Sequence, residues 1–139
     1  MDKNEIIAIL EDWNFWKKPL ETGIPRFFYL EKLKKLLLNE QIITITGARR
    51  SGKSFIMRQL AKELIQKGVN KNQVLIVNFE DPRFIELNPQ LLQEIYETYL
   101  EFLNPKDKPY IFLDEIQEVQ KWEKWVRTMQ ELEKAKIIR

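Results

Sequence analysis

The octapeptide at residues 47–54 restricts the possible folds more than any other feature of this sequence. It reads Gly-Ala-Arg-Arg-Ser-Gly-Lys-Ser and matches the pattern G-x-x-x-x-G-K-[ST]. A β-branched apolar run precedes it at 41–46, and apolar residues at helical spacing follow it at 55–67. A strand, a glycine-containing turn and a helix in this order are typical of a parallel sheet covered by helices.

The rest of the chain continues this alternation. Two more buried strands are predicted as continuous apolar runs, and helices are predicted between and around them. The strands are placed at 74–79 and 110–113, and the helices at 5–11, 27–38, 89–103 and 119–134. Gly68 is expected to end the helix that follows the octapeptide, and Asn88 to cap the helix that begins at Pro89. The predicted fold class is therefore α/β, with a parallel sheet flanked by helices.

The first 26 residues differ from the rest. They are irregular and rich in aromatic residues, and we interpret 1–26 as a segment that leads into a core at 27–139. Trp13, Phe15 and Trp16 lie in this segment. We interpret them as packing residues rather than as a platform for stacking bases.

The amino-acid composition excludes several kinds of chemistry. The 139 residues include no cysteine and no histidine, so thiol, disulfide and imidazole chemistry are excluded. The net charge of +2 is too small to indicate a nucleic-acid partner by itself. No run of about 18 apolar residues occurs, and the first residues do not resemble a signal peptide, so we expect a cytoplasmic protein with no membrane partner.

The octapeptide predicts a phosphate-binding loop. Its two glycines let the backbone curl so that successive N–H groups point at phosphate oxygens, and the following helix adds the positive end of its dipole. Lys53 is expected to reach the β- and γ-phosphates, and the Ser54 hydroxyl to ligate Mg²⁺. The cofactors predicted are ATP and Mg²⁺, and the alternative is a plain glycine turn. The residues predicted to bind the cofactor are Gly47, Ala48, Arg49, Arg50, Ser51, Gly52, Lys53, Ser54 and Phe55.

A second motif ends the strand at 110–113. Two acids, Asp114 and Glu115, follow directly and are expected at the sheet edge where ligands bind. Asp114 is predicted to hold the Mg²⁺ shell through water, and Glu115 to act as the general base on the attacking water. The predicted catalytic residues are Glu115 and Lys53, and the metal ligands are Ser54 and Asp114. Without the octapeptide, the same residues would indicate only a strand that ends in a solvated turn.

The motifs together resemble the AAA+-type archaeal ATPase family of P-loop NTPases. The resemblance rests on the octapeptide, on 78–83 (Asn-Phe-Glu-Asp-Pro-Arg), on 113–117 (Leu-Asp-Glu-Ile-Gln) followed by Trp122, and on 12–14 (Asp-Trp-Asn). It implies an ATPase core in a longer chain. It also implies that an extra strand separates the octapeptide strand from the Asp-Glu strand.

The resemblance makes 136–139 the beginning of that extra strand. We therefore expect a core that is incomplete before the strand's sensor residue, and a vacant position between 42–46 and 110–113. Unpaired strand edges at a vacant position favour self-association.

Some residues allow two interpretations. Arg49 and Arg50 either contact phosphate or a neighbouring subunit, or are solvated. Glu80 and Asp81 either support the water or metal, or form a turn and cap. The segment 23–26 (Gly-Ile-Pro-Arg) is a candidate lining for the adenine.

The predicted function is binding of Mg·ATP and, in the full-length protein, its hydrolysis to ADP and phosphate to drive a conformational change. The alternative is a nucleotide-dependent switch or scaffold with little or no turnover. A phosphotransferase would need an acceptor pocket that the sequence does not show. The client, whether protein or nucleic acid, is not indicated by these residues.

Overall fold

The computed structural model describes residues 1–39, 41–45 and 52–139. The predictions for Gly47, Ala48, Arg49, Arg50 and Ser51 lie outside these ranges. The helices are α1 (Lys3–Trp13), α2 (Phe27–Leu36), α3 (Lys53–Gln66), α4 (Pro89–Leu103) and α5 (Trp122–Glu131), and the strands are β1 (Val74–Asn78), β2 (Tyr110–Asp114) and β3 (Lys136–Ile138).

The strands form a parallel sheet in the order β1-β2-β3. Ile43 continues the sheet beyond β3, because its N–H donates to the carbonyl of Ile137 at 3.0 Å and its carbonyl accepts from the N–H of Arg139 at 2.9 Å. The predicted α/β class with a parallel sheet is confirmed. The strand predicted at 41–46 is represented, within the described residues, by the single bridge at Ile43.

The position of β3 confirms one expectation and corrects another. It lies between Ile43 and β2, which is the predicted place for a strand that separates the octapeptide strand from the Asp-Glu strand. The expectation that this place is vacant is wrong for residues 136–138. Ile137 and Ile138 are fully buried, one on each face of the sheet, and this burial holds the short strand between its neighbours.

Helices cover both faces of the sheet, and the strand side chains alternate between the two hydrophobic clusters. Leu75, Val77, Ile111, Leu113 and Ile137 face α1, α4 and α5, whereas Val74, Ile76, Phe112 and Ile138 face α2 and α3. A strand buried on both faces must be apolar at every position, which is why the sequence showed continuous runs rather than alternation.

The N-terminal segment protects the edge of β1. The Asn14 side chain is fully buried and pairs with the strand as another strand would. Its Nδ2 donates to the carbonyl of Ile76 at 2.9 Å, and its Oδ1 accepts from the N–H of Ile76 at 2.7 Å. Trp16 Nε1 donates to the carbonyl of Val74 at 2.9 Å. Side chains thus provide hydrogen-bond partners for backbone groups on the open edge of β1. Fewer of these groups are left to pair with another chain.

Several helix ends follow the predicted chemistry. Gly68 adopts φ +110° just after α3, and the Asn88 side chain accepts from the N–H of Leu91 at the start of α4. Helix α1 is longer than predicted because Asp2 caps it. Helix α5 begins at Trp122 rather than at 119, because Ile116–Glu118 forms a 3₁₀ turn. No helix within the described ranges is long and apolar enough to cross a membrane.

Candidate functional site

The candidate site lies where the carboxyl end of β2 meets the amino end of α3. Asp114 is the last residue of β2, and Ser54 is the second residue of α3. The Ser54 hydroxyl donates a hydrogen bond to Asp114 Oδ2. Two residues separated by 60 positions in the sequence, both of which the sequence analysis proposed as metal ligands, are therefore in direct contact.

The second carboxylate oxygen of Asp114 is the most unusual atom of the site. Asp114 is only 3% exposed, and among the described residues its Oδ1 is buried without a hydrogen-bond partner. Burial raises the pKa of Asp114 above its ordinary value and the charge of Glu115 adds to this, while the hydrogen bond from Ser54 and the charges of Lys53 and Arg58 oppose it. Buried acceptors are normally satisfied, so an oxygen left in this state fits a bound cation or its water.

The amino end of α3 is built to receive an acceptor. Gly52 precedes the helix with φ +90°, a conformation that strains any residue with a side chain, and it provides no side chain to cap the helix. The first N–H groups of a helix have no partner within the helix, and among the residues that the structure describes no side chain caps α3. Lys53, the first residue of α3, is partly exposed at this end.

Glu115 follows Asp114 in a left-handed conformation, φ +57°. Its Oε2 accepts from Nε2 of Gln117 at 2.6 Å. Carboxylate oxygens of Glu80, Glu115 and Glu118 lie within 4.8 Å of one another, so the carboxyl ends of β1 and β2 bring three acids together. Of these three acids, the sequence analysis had singled out Glu115 and, in one of two interpretations, Glu80. It had not singled out Glu118.

Asp81, the other residue with two interpretations, makes contacts that hold the fold together. Its Oδ2 accepts from Trp13 Nε1 at 2.8 Å and from Arg83 Nη2 at 2.7 Å, and its Oδ1 accepts from Arg83 Nε at 3.0 Å. Hydrogen bonds from Arg83 hold the pKa of Asp81 well below its usual range. With both oxygens engaged, Asp81 links the loop after β1 to α1.

Phe55, Arg58 and Gln59 connect α3 to the preceding segment. The Arg58 guanidinium lies 5.4 Å from the ring centre of Phe55 and 5.6 Å from that of Trp13. A methyl group on Gly23 would lie 3.4 Å from the Phe55 ring. The sequence analysis missed Arg58 and Gln59. The one signal in the sequence was a glutamine within the buried stripe of α3, where Gln59 is 4% exposed.

Comparisons with known proteins agree with this geometry. The sequence profile of a family described as "AAA domain" matches residues 39–138. An uncharacterized protein of Haemophilus influenzae is 32% identical over 95 residues, which is 68% of this chain and 23% of that protein. An uncharacterized protein of Methanocaldococcus jannaschii is 33% identical over 95 residues, 68% of this chain and 20% of that protein.

The matched part is thus about a fifth of the length of these curated relatives. No solved structure matches the chain. The family profile covers the octapeptide, both acids of the second motif and β3, and so includes Ser54 and Asp114 of the candidate site. The chain belongs to the AAA domain family, whose members are nucleotide-binding, ATPase-like domains.

Proposed function

We propose that this chain binds Mg·ATP and, within the full-length protein, hydrolyses it to ADP and phosphate. One observation carries the proposal. The hydroxyl of Ser54, which follows the lysine of the phosphate-loop motif, contacts Asp114, and the other oxygen of Asp114 is buried without a partner among the described residues. A hydroxyl and a carboxylate brought together beside a phosphate loop are the ligands that Mg²⁺ uses with nucleotides.

Phosphate binding is supported by the amino end of α3. Gly52 offers no side chain to cap the first N–H groups of this helix, and a helix amino terminus carries partial positive charge. Lys53 stands at this end and would neutralise the β- and γ-phosphates. Residues 47–52 would complete the loop around them.

Ser54 and Asp114 would hold the magnesium ion, Ser54 directly and Asp114 through a water of its shell. The ion supplies charge neutralisation on the phosphates when bound. Burial raises the pKa of Asp114 and so disfavours its ionised form, whereas a nearby cation would favour that form. The orphaned oxygen and the raised pKa of Asp114 therefore both fit a cation.

Glu115 would act as the general base. A water attacks the γ-phosphorus and passes its proton to the carboxylate of Glu115, while the bond to the β-phosphate oxygen breaks and ADP leaves. Glu115 directly follows Asp114 at the end of β2, and its charge helps to raise the pKa of Asp114, which supports its assignment to the same site.

A nucleotide-dependent switch with little turnover is a second candidate, and the Glu115–Gln117 contact favours it. The amide of Gln117 occupies an oxygen of the proposed base, so Glu115 would have to exchange this hydrogen bond before it could polarise a water. In this case ATP would hold one conformation and be released slowly.

The test is isothermal titration of Mg·ATP into the wild-type protein, Asp114→Asn and Lys62→Ala, together with burst and steady-state phosphate release. Lys62 is an exposed lysine on α3 and serves as the control for charge removal. We expect wild type and Lys62→Ala to bind alike, and Asp114→Asn to bind more weakly with magnesium than wild type does. Absence of ATP binding by the wild type would refute the proposal. Binding with a burst but no steady-state release would support the switch.

A further inference from the structure

The guanidinium of Arg26 lies beside Gly52, the sixth residue of the octapeptide. A methyl group on Gly52 would come within 2.4 Å of Arg26 Nη2 and 3.0 Å of its Cζ, so the guanidinium occupies the space beside Gly52 where a side chain would stand. Gly52 is the last residue before Lys53, so the Arg26 side chain stands at the amino end of α3. Arg26 itself is exposed, and a ligand at this end of the helix can reach it.

Helix α3 also holds the segment that carries Arg26. The buried amide of Gln59 donates to the carbonyls of Thr22 at 2.6 Å and Ile24 at 2.9 Å. Its Oε1 accepts from the N–H of Arg26 at 3.4 Å. The helix that presents Lys53 and Ser54 therefore fixes the position of Arg26 as well, through side-chain contacts that leave the guanidinium facing Gly52.

The electrostatics of this placement point to an anion. The amino end of a helix carries partial positive charge and disfavours cations, yet both Lys53 and Arg26 are placed there. Two cations beside a positive helix end favour a ligand with several negative charges, and guanidinium matches phosphate oxygens with paired N–H groups.

We propose that Arg26 binds the phosphates of the nucleotide as a second cation beside Lys53. This inference rests on the proposed function and assigns a role within the same site. It also differs from the expectation that 23–26 lines the adenine. The charged end of Arg26 lies on Gly52, and Ile24, the apolar residue suited to a base, is 87% exposed.

The experiment compares ATP with tripolyphosphate, which carries the phosphates without the base. Binding of each to wild type, Arg26→Gln, Arg26→Lys and Lys32→Gln is measured by calorimetry. Lys32 is exposed on α2, the helix that begins just after Arg26, so Lys32→Gln removes the same charge away from the loop. Thermal melts without ligand report any loss of folding.

We expect Arg26→Gln to weaken both ligands by the same factor, about ten- to a hundredfold for charge-assisted hydrogen bonds. Arg26→Lys, which keeps the charge and loses the planar fork, should fall between Arg26→Gln and wild type, and Lys32→Gln should match wild type. Weaker ATP binding with unchanged tripolyphosphate binding would place Arg26 at the base and overturn the inference. So would unchanged affinity for both. If the wild type binds ATP and Arg26→Gln binds it equally well, this inference alone is refuted. If the wild type binds no ATP, the proposed function is refuted as well.

Discussion

Replacement of Asn14 tests how the N-terminal segment stabilises the sheet. In Asn14→Ala, the N–H and the carbonyl of Ile76 lose their partners in a buried place, because both are bound by the Asn14 side chain. A buried backbone group without a partner costs about 1–3 kcal/mol, so two such groups predict a loss of roughly 2–6 kcal/mol in the free energy of unfolding. The total stability of a domain is only about 5–15 kcal/mol, so this loss is a large fraction of it.

The assay is urea denaturation followed by circular dichroism, with Asn4→Ala as the matched control. Asn4 is exposed on α1, the helix that ends just before Asn14, and its replacement should change the unfolding free energy by less than about 0.5 kcal/mol. We also expect Asn14→Ala to scatter more light at high concentration, since the freed edge of β1 can pair with another chain. A loss below about 1 kcal/mol would show that water or backbone movement satisfies Ile76, and would refute this reasoning.

Three further predictions concern the site and its surroundings. Lys53→Ala should weaken ATP binding by ~2–3 kcal/mol in calorimetry, and equal affinity in a folded variant would remove the phosphate-loop assignment. Glu115→Gln should bind Mg·ATP normally and release phosphate far more slowly, whereas Asp114→Asn should lose magnesium-dependent binding as well; a native rate in Glu115→Gln would exclude it as the base. Because the pKa of Asp81 is lower in the folded state, its ionised form stabilises the fold above its ordinary pKa of 3.8. The difference in unfolding free energy between wild type and Asp81→Asn should be constant near neutral pH and shrink as pH falls below about 4, and a difference that grew on acidification would contradict the contact with Arg83.

The sequence predicted those elements that depend on local patterns. The buried strands at β1 and β2, the Asn88 cap and the Gly68 terminator all follow from residues within a few positions of each other. The contact between Ser54 and Asp114 was also predictable, because parallel strands bring their carboxyl ends to one edge.

Contacts between polar side chains and distant backbone were not predictable. Asn14 binds Ile76 across 62 residues, and Gln59 binds the carbonyls of 22 and 24 across about 35. An asparagine or glutamine in such a place has the same local sequence context as one that is solvated, and only the folded chain shows what it meets. The same holds for Arg26. Its contact with Gly52 joins two segments of the chain, and the sequence patterns of these segments do not indicate that they meet.

The central place of β3 has a consequence for the order in which the domain assembles during synthesis. The ribosome makes residues 136–138 after β1, β2 and the segment around Ile43, yet they lie between Ile43 and β2. A nascent chain that stops before 136 can join β1 to β2 and pack both strands against α3, but it lacks the strand that hydrogen-bonds to both β2 and Ile43. Ser54 lies on α3 and Asp114 at the end of β2, and the edge of β2 that faces Ile43 stays unpaired until residues 136–138 insert. Such non-local closure is slow and leaves hydrophobic surface exposed meanwhile, which makes the half-built domain a natural client for chaperones.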